Sequence, residues 1–150
     1  MGNGYGGSTT TVYNHSYDIM KKAIPLKPDL IESCDKRLVI FYNFTAELTA
    51  MKKAIGNIRP FSEVNGTTKN LSHYDKWDNS ITFVQYQSGA MGLNLQKADT
   101  IIYFSLPLSS ELFEQSKKRI HRLGQQNKCT YYIFMCENSV EQKIYNTLQE

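Results

Sequence analysis

A chain of 150 residues, 41% hydrophobic and 21% charged, is long enough for one packed domain and has the charge content of an ordinary globular one. A formal net charge of +3 permits an acidic partner without demanding one. Three cysteines, Cys34, Cys129 and Cys136, are odd in number and lack paired spacing, which argues against a disulfide framework and for a reducing compartment such as the cytoplasm. His15, His73 and His121 are scattered and no C-x-x-C occurs, so no metal site is expected. No apolar run reaches the roughly 18 residues that a membrane helix needs. The start lacks the basic and apolar segments of a signal peptide.

Residues 1–10 are glycine-rich and read as a flexible junction. Gly2 to Gly7 satisfies G-x-G-x-x-G, but that pattern needs a strand immediately before it, and Ser8 stands where a phosphate loop needs lysine. A short strand is expected at 11–13 and a short helix at 18–23, limited by Pro25 and Pro28. Another helical turn is expected at 29–34. Residues 37–42 are a continuous apolar run of β-formers, the pattern of a strand covered on both faces. A helix follows Thr45 over 46–55, with Leu48, Met51 and Ile55 as its stripe, and ends at Gly56.

Further on, 60–64 reads as a short strand and Asn65-Gly66 as a turn. Residues 71–77 read as a short helix with Leu71 and Trp77 inward. Strands are expected at 81–86, 100–104 and 130–135. Between the first two, 88–95 is a small-residue loop leading into a helical turn. Residues 107–110 form a loop, 111–123 a helix stopped by Gly124, and Ser139 caps a last helix with Val140, Ile144 and Leu148 inward.

Strands that alternate with helices and lack polar alternation imply a parallel sheet covered by helices. In such sheets ligands bind beyond the carboxyl ends of the strands, here 43–45, 88–94 and 106–110. The division expected is a flexible junction with a short helical segment over 1–36 and the folded domain over 37–150. On the helix 111–123, Gln115, Arg119 and Arg122 fall within a narrow arc, beside Leu112, Phe113, Ser116, Ile120 and Leu123. Two arginines held this way suit a polyphosphate, because guanidinium stays charged and offers forked donors. A solvated basic helix is the plainer alternative.

Three segments carry a resemblance to a known family. Residues 38–44 resemble helicase motif four. Gly89 to Asp99, G-A-M-G-L-N-L-Q-K-A-D, resembles motif five, A-G-G-x-G-x-N-L-x-x-A-D. Gln115 to Gln125 resembles motif six, Q-x-x-x-R-x-H-R-x-G-Q, at matching distance from motif five. Asn65-Gly66-Thr67-Thr68 resembles the family's D-G-S-T, and 140–144 its T-I-E-E-x-I helix. Over residues 37–150 the chain is similar to the C-terminal, second RecA-like lobe of Swi/Snf-type ATPases of helicase superfamily two. The short connection from Thr68 to Trp77 points to the compact relatives encoded by phages. Departures are Gln85-Tyr86-Gln87-Ser88 for S-T-x-A, Ala90 for glycine, Ser105 for aspartate, and 108–110 for W-N-P.

The resemblance implies a RecA-like parallel sheet with helices on both faces, lacking a phosphate loop. It implies ATP bound between two lobes, with magnesium and the Walker motifs on an N-terminal RecA-like partner lobe. Arg119 and Arg122 would be the arginine fingers, Gln115, Gly92 and Asn94 the nucleotide contacts, and His121 a coupling residue. Thr67, Thr68, Ser88, Gly89 and Asn43 would track a nucleic-acid backbone, with duplex DNA the expected partner. Neither G-x-x-x-x-G-K-[ST] nor an acidic pair of the D-E-x-H type occurs, so these residues supply half of such a site. The other reading is a non-catalytic α/β domain that keeps the fold and binds nucleic acid or protein. No membrane partner is expected.

Overall fold

The computed structural model describes residues 8–15, 18–89, 93–107, 109–120 and 128–136, with the single residues 143 and 146. Among them, strands β1 (Ser8–His15), β2 (Leu38–Tyr42), β3 (Phe61–Val64), β4 (Lys69–Asn70), β5 (Ile81–Gln85), β6 (Thr100–Tyr103) and β7 (Cys129–Cys136) form one sheet. Its order is β1-β7-β6-β2-β5-β3-β4, parallel throughout except for the β3–β4 hairpin at one edge.

The central strands bury both of their faces. Alternate residues Val39, Phe41, Val84, Ile101 and Tyr103 enter one apolar cluster. Their neighbours Leu38, Ile40, Ile81, Phe83 and Ile102 enter the other. This is the side-chain alternation of a strand with apolar residues at both phases. Helices α3 (Ser72–Lys76), α4 (Tyr86–Gly89) and α5 (Ser110–Ile120) bring Tyr74, Tyr86 and Phe113 to the first cluster. Helices α1 (Ile19–Ala23) and α2 (Thr45–Ile55), with a π-helical segment Leu26–Ile31, cover the second through Ala23, Leu26, Leu30, Leu48, Met51 and Ile55. The helix α2 ends as expected at Gly56, at φ 74° and ψ −165°, a conformation that glycine adopts without a Cβ penalty.

The amino-terminal segment differs most from expectation. The strand expected at 11–13 runs from Ser8 to His15 and pairs along its whole length with β7, from Ser8↔Cys129 to His15↔Cys136. Its run of threonines is β-forming, and the neighbouring strand supplies the ladder. The helical turn expected at 29–34 begins at Leu26 instead. Pro25 sits at its cap and Pro28 in its first turn, where a missing N–H leaves no hydrogen bond unmade. Ala23, Leu26, Leu30 and Ile31 share a cluster with Leu38 and Ile40.

Arg59 closes this region. Its guanidinium donates to the carbonyls of Ile31 (3.2 Å), Cys34, Lys36 and Asn79, tying the end of the π-helical segment to the turn before β5. Burial lowers the Arg59 pKa, and the neighbouring Cys34 and Asp35 oppose that shift.

Trp77, expected inward, is 44% exposed. The helix α3 stops at Lys76 and Trp77 turns extended, which removes it from the helical stripe. Its ring lies under the Lys76 ammonium, 5.1 Å from the centroid. Tyr74 takes the interior place and accepts a hydrogen bond from the Lys97 N–H at 3.0 Å. The last helix expected after Ser139 lies outside the described residues, apart from 143 and 146, which are helical.

Two measurements check this packing. Arg59→Ala removes donors from four carbonyls and is expected to lower stability by about 2 kcal/mol. That would appear as a lower urea midpoint at unchanged slope. Arg59→Lys should recover little, since an ammonium lacks the fork. The second measurement uses pH. Burial pushes the Tyr74 hydroxyl up to about 12, partly offset by the Lys97 N–H, and burial pushes Tyr103 well above the ordinary tyrosine value. An unfolded tyrosine ionises near pH 10. Above that the unfolded chain loses protons that the folded chain keeps, so their contribution is complete below pH 10 and is lost as pH rises through about 12. Urea midpoints should fall across this window, and less steeply in Tyr74→Phe.

Candidate functional site

Six strands, β1, β2, β3, β5, β6 and β7, run the same way, so their carboxyl ends line one edge of the sheet. Asn43 follows β2, the 65–68 turn follows β3, Gln85 ends β5, and Ser105 and Leu106 follow β6.

A polar network joins three of these ends. The Asn43 side-chain amide donates to Ser105 Oγ and to the Leu106 carbonyl, both at 2.9 Å. Ser105 Oγ donates to Glu47 Oε1 at 2.9 Å. The same Glu47 oxygen accepts the backbone N–H groups of Asn43 (2.9 Å) and Phe44 (3.0 Å). Gln85 Nε2 donates to the Asn43 carbonyl at 2.9 Å, and the Tyr86 hydroxyl donates to the Ser105 carbonyl at 2.6 Å. Glu47 is 5% exposed. Both N–H groups of the Asn43 amide are thus engaged inside the domain, while the adjacent Phe44 ring is 68% exposed.

The turn after β3 is built on one oxygen. Asn65 Oδ1 accepts from the Thr67 N–H, the Thr67 hydroxyl and the Thr68 N–H at 2.9–3.0 Å. These are acceptor duties that an amide oxygen performs as a carboxylate would, so asparagine preserves the turn of the D-G-S-T pattern. Thr67 and Thr68 are exposed at its tip. The Asn65 side chain also bonds to Tyr42, whose hydroxyl burial raises and this bond lowers.

The loop expected at 88–95 is arranged differently. The chain leaves β5 directly into α4, so Tyr86 is helical and Ser88 and Gly89 form the last two positions of that turn. The Tyr86 hydroxyl bond to Ser105 holds this early turn down. Gly92 lies outside the described residues. Asn94 is exposed between buried Leu93 and Leu95, and its Oδ1 accepts the Gln96 N–H at 3.2 Å.

The helix α5 begins where Ser109 Oγ accepts the Leu112 N–H at 3.3 Å. Phe113 packs on Tyr103 with ring centroids 5.0 Å apart. Ser116, fully buried, donates to the Phe113 carbonyl at 2.6 Å and accepts from the Tyr103 hydroxyl at 2.9 Å. The Lys117 ammonium lies over the Phe113 and Tyr131 rings. Phe113 and Ser116, with Leu112 partly buried, form the inward arc read from the sequence. Gln115 Nε2 reaches Glu111 at 3.4 Å, and Gln115 Oε1 is buried with no hydrogen-bond partner among the described residues. The Arg119 backbone belongs to α5, while its side chain, His121, Arg122 and Gly124 lie outside the described residues.

The helix α5 connects two parallel strands and therefore runs back from the carboxyl edge. At 1.5 Å per residue, Gln115 stands about 7 Å and Arg119 about 13 Å along it from Ser110. The expected residues therefore form two groups. Asn43, Thr67, Thr68, Ser88 and Gly89 gather at the carboxyl edge. Gln115 and Arg119 stand lower on the helix. Glu47 escaped the sequence reading because an acid on a short helix looks solvated. Its position three residues past the helix cap is the available signal, since that is where a glutamate reaches back to free N–H groups.

A separate cavity of about 300 Å³ lies at the amino edge, lined by Asp35, Lys36, Arg37, Asp78, Lys97 and Asp99. Its cations are already met: Lys36 by Asp99 at 3.7 Å, Lys97 by Asp75 at 3.2 Å, and Arg37 by the Tyr74 and Asp75 carbonyls. Among the described residues no helix is long and apolar enough to cross a membrane, and no group of three His, Cys, Asp or Glu side chains could hold a metal ion.

Residues 21–124 match the helicase conserved C-terminal domain, and the chain belongs to that family. It is a C-terminal helicase lobe of the Swi/Snf type. It is similar to protein 172L of Invertebrate iridescent virus 6, 32% identical over 116 residues that make up 72% of this chain and 19% of that protein. It is also similar to the chromatin-remodeling ATPase INO80 of Schizosaccharomyces pombe, 24% identical over 123 residues, 76% of this chain and 8% of that protein. The chain thus spans less than a fifth of the length of these two relatives. The crystal structure of the C-terminal part of the Fun30 ATPase domain shares the fold, with a TM-score of 0.68 at 22% identity, over 91% of this chain and 48% of that one.

The seat of α5 can be tested directly. Ser116→Ala leaves the buried Tyr103 hydroxyl without an acceptor and should cost about 1–3 kcal/mol. Adding Tyr103→Phe should return part of that loss, measured as the coupling in a double-mutant cycle by urea unfolding.

Proposed function

We propose that this chain acts as the second lobe of a DNA-dependent ATPase, a translocase that moves along the nucleic-acid backbone. The observation that supports this reading most is the separation on the domain. Residues suited to phosphodiester contact gather at the carboxyl edge, and a packed helix carries Gln115 and Arg119 away from it. On this reading the lobe meets two ligands at once, nucleic acid at the edge and a nucleotide against α5.

ATP would be held between this lobe and an N-terminal RecA-like lobe bearing the Walker motifs, on the same or another polypeptide, with magnesium on that first lobe. Arg119 and Arg122 would reach the phosphates. Fixed guanidinium groups stabilise charge in phosphoryl transfer by on the order of 10³–10⁵ in rate. The orphaned Gln115 Oε1 is an acceptor, so it fits a guanidinium or a ligand hydroxyl and not a phosphate oxygen. That favours Gln115 as the residue that orients Arg119, one turn on, or meets the nucleotide's sugar. Gly92 and Asn94 would complete the nucleotide side, and His121 would couple it to motif five. Thr67, Thr68, Ser88 and Gly89 would track phosphates without reading bases. Asn43, with its amide engaged internally, would act there through its loop. Duplex DNA is the partner expected, in the cytoplasm of a bacterial host if the source is a phage.

The test is hydrolysis. Alone, this chain should turn over no ATP and bind nucleotide weakly, and robust turnover by it would end the half-site reading. Joined to a first lobe, it should hydrolyse ATP in response to duplex DNA. There Arg122→Ala should lower the stimulated rate by about 10³ or more with the circular dichroism unchanged. Turnover at the wild-type rate would remove the finger assignment.

A further inference from the structure

We propose that Glu47 is a positioning residue: its carboxylate latches the connection between β6 and α5 to the loop between β2 and α2, and so sets the pose of Gln115 and Arg119. This deepens the second-lobe reading and rests on it.

One oxygen of Glu47 accepts three hydrogen bonds, from the Asn43 N–H, the Phe44 N–H and Ser105 Oγ, at 2.9–3.0 Å. The residue is 5% exposed, so water is poorly placed to replace a lost donor. Ser105 Oγ gives its proton to Glu47 and receives one from the Asn43 amide, so the bonds run in one direction from Asn43 through Ser105 to the carboxylate. Such chains strengthen each other in a low-dielectric interior. The second N–H of the same amide holds the Leu106 carbonyl. Leu106 is buried in one cluster with Phe113, and the α5 cap begins at Ser109. Ser105 and Leu106, which lead toward α5, are thus both held by side chains of the β2–α2 loop and the first turn of α2.

The latch also faces outward. Asn43 and Phe44 border the carboxyl edge, and Gln85 ties the end of β5 to the Asn43 carbonyl. A load on this loop reaches the start of α5 through Glu47 and Ser105. A helix of 11 residues is stiff over its length, so a displacement at residues 105–107 is carried to Gln115 and Arg119. A misplacement of about 1 Å at a reacting centre costs on the order of 10²-fold in rate. The arrangement thus gives nucleic acid at the edge a mechanical route to the arginines.

The test compares Glu47→Leu with the double variant Glu47→Leu/Ser105→Asp, which returns a carboxylate to the same N–H groups from the other strand. In this chain, Glu47→Leu should raise amide exchange over residues 106–113 by about tenfold while β2 and β6 stay protected. Joined to a first lobe, it should lower the DNA-stimulated kcat about tenfold with KM for ATP within about twofold. The double variant should restore both. Wild-type exchange at 106–113, a uniform rise across the sheet, or no rescue would overturn the proposal. If Glu47→Leu does not fold, Ser105→Ala replaces it, removing the hydroxyl that links the end of β6 to the carboxylate: a smaller rise confined to 106–113 supports the latch, and unchanged exchange overturns it. If the wild-type pair of lobes shows no hydrolysis, the second-lobe reading falls, and the exchange measurement alone decides the latch.

Discussion

Burial of β2, β5 and β6 on both faces is the constraint on which the rest of the molecule depends. A strand with water on neither side must be apolar at both alternations, and it needs helices above and below. Parallel pairing then requires each connection to cross back over the sheet, which returns every carboxyl end to one edge. Asn43, the Asn65 turn, Gln85 and Ser105 meet for this reason, although up to 62 residues separate them along the chain.

Polar groups at that edge are then forced to satisfy each other. Glu47 is buried, and a buried carboxylate is tolerable only with donors around it. Asn43, Phe44 and Ser105 supply them. Where the resemblance places an aspartate after β6, this chain has serine, and a carboxylate arrives from α2 instead. An aspartate at 105 beside Glu47 would set two like charges together, whereas serine can both donate and accept. The two positions therefore make sense as a pair.

The aromatic packing under α5 follows the same logic. Tyr103 stacks with Phe41 and Tyr131 and directs its hydroxyl to Ser116, so a polar group is used to register a helix on an otherwise apolar surface. Lys117 places its ammonium over the Phe113 and Tyr131 rings. The inward face of α5 is thus set by contacts, and the adjacent stripe that carries Gln115 is turned by what that face buries.

Much of this was legible in the residue pattern. Unbroken apolar runs marked β2, β5, β6 and β7, and the spacing of Leu48, Met51 and Ile55 marked α2 and its buried stripe. The order of the three helicase-like segments marked the family, because motifs are local strings. Trp77 departs from the helical periodicity because that pattern holds only while a helix continues, and α3 stops one residue earlier. The strand β1 is longer than its local pattern indicates because its ladder is completed by β7, more than 100 residues away. Local patterning by itself determined the parallel fold class and the residues with chemistry to offer, since both depend on short-range alternation. Only the tertiary structure decided that Asn43 turns its amide inward, that Glu47 is the hub of the edge, and that Gln115 stands apart from that edge with an oxygen unmatched among the described residues. Those outcomes depend on which distant donors and acceptors come within about 3 Å, and no local pattern encodes that.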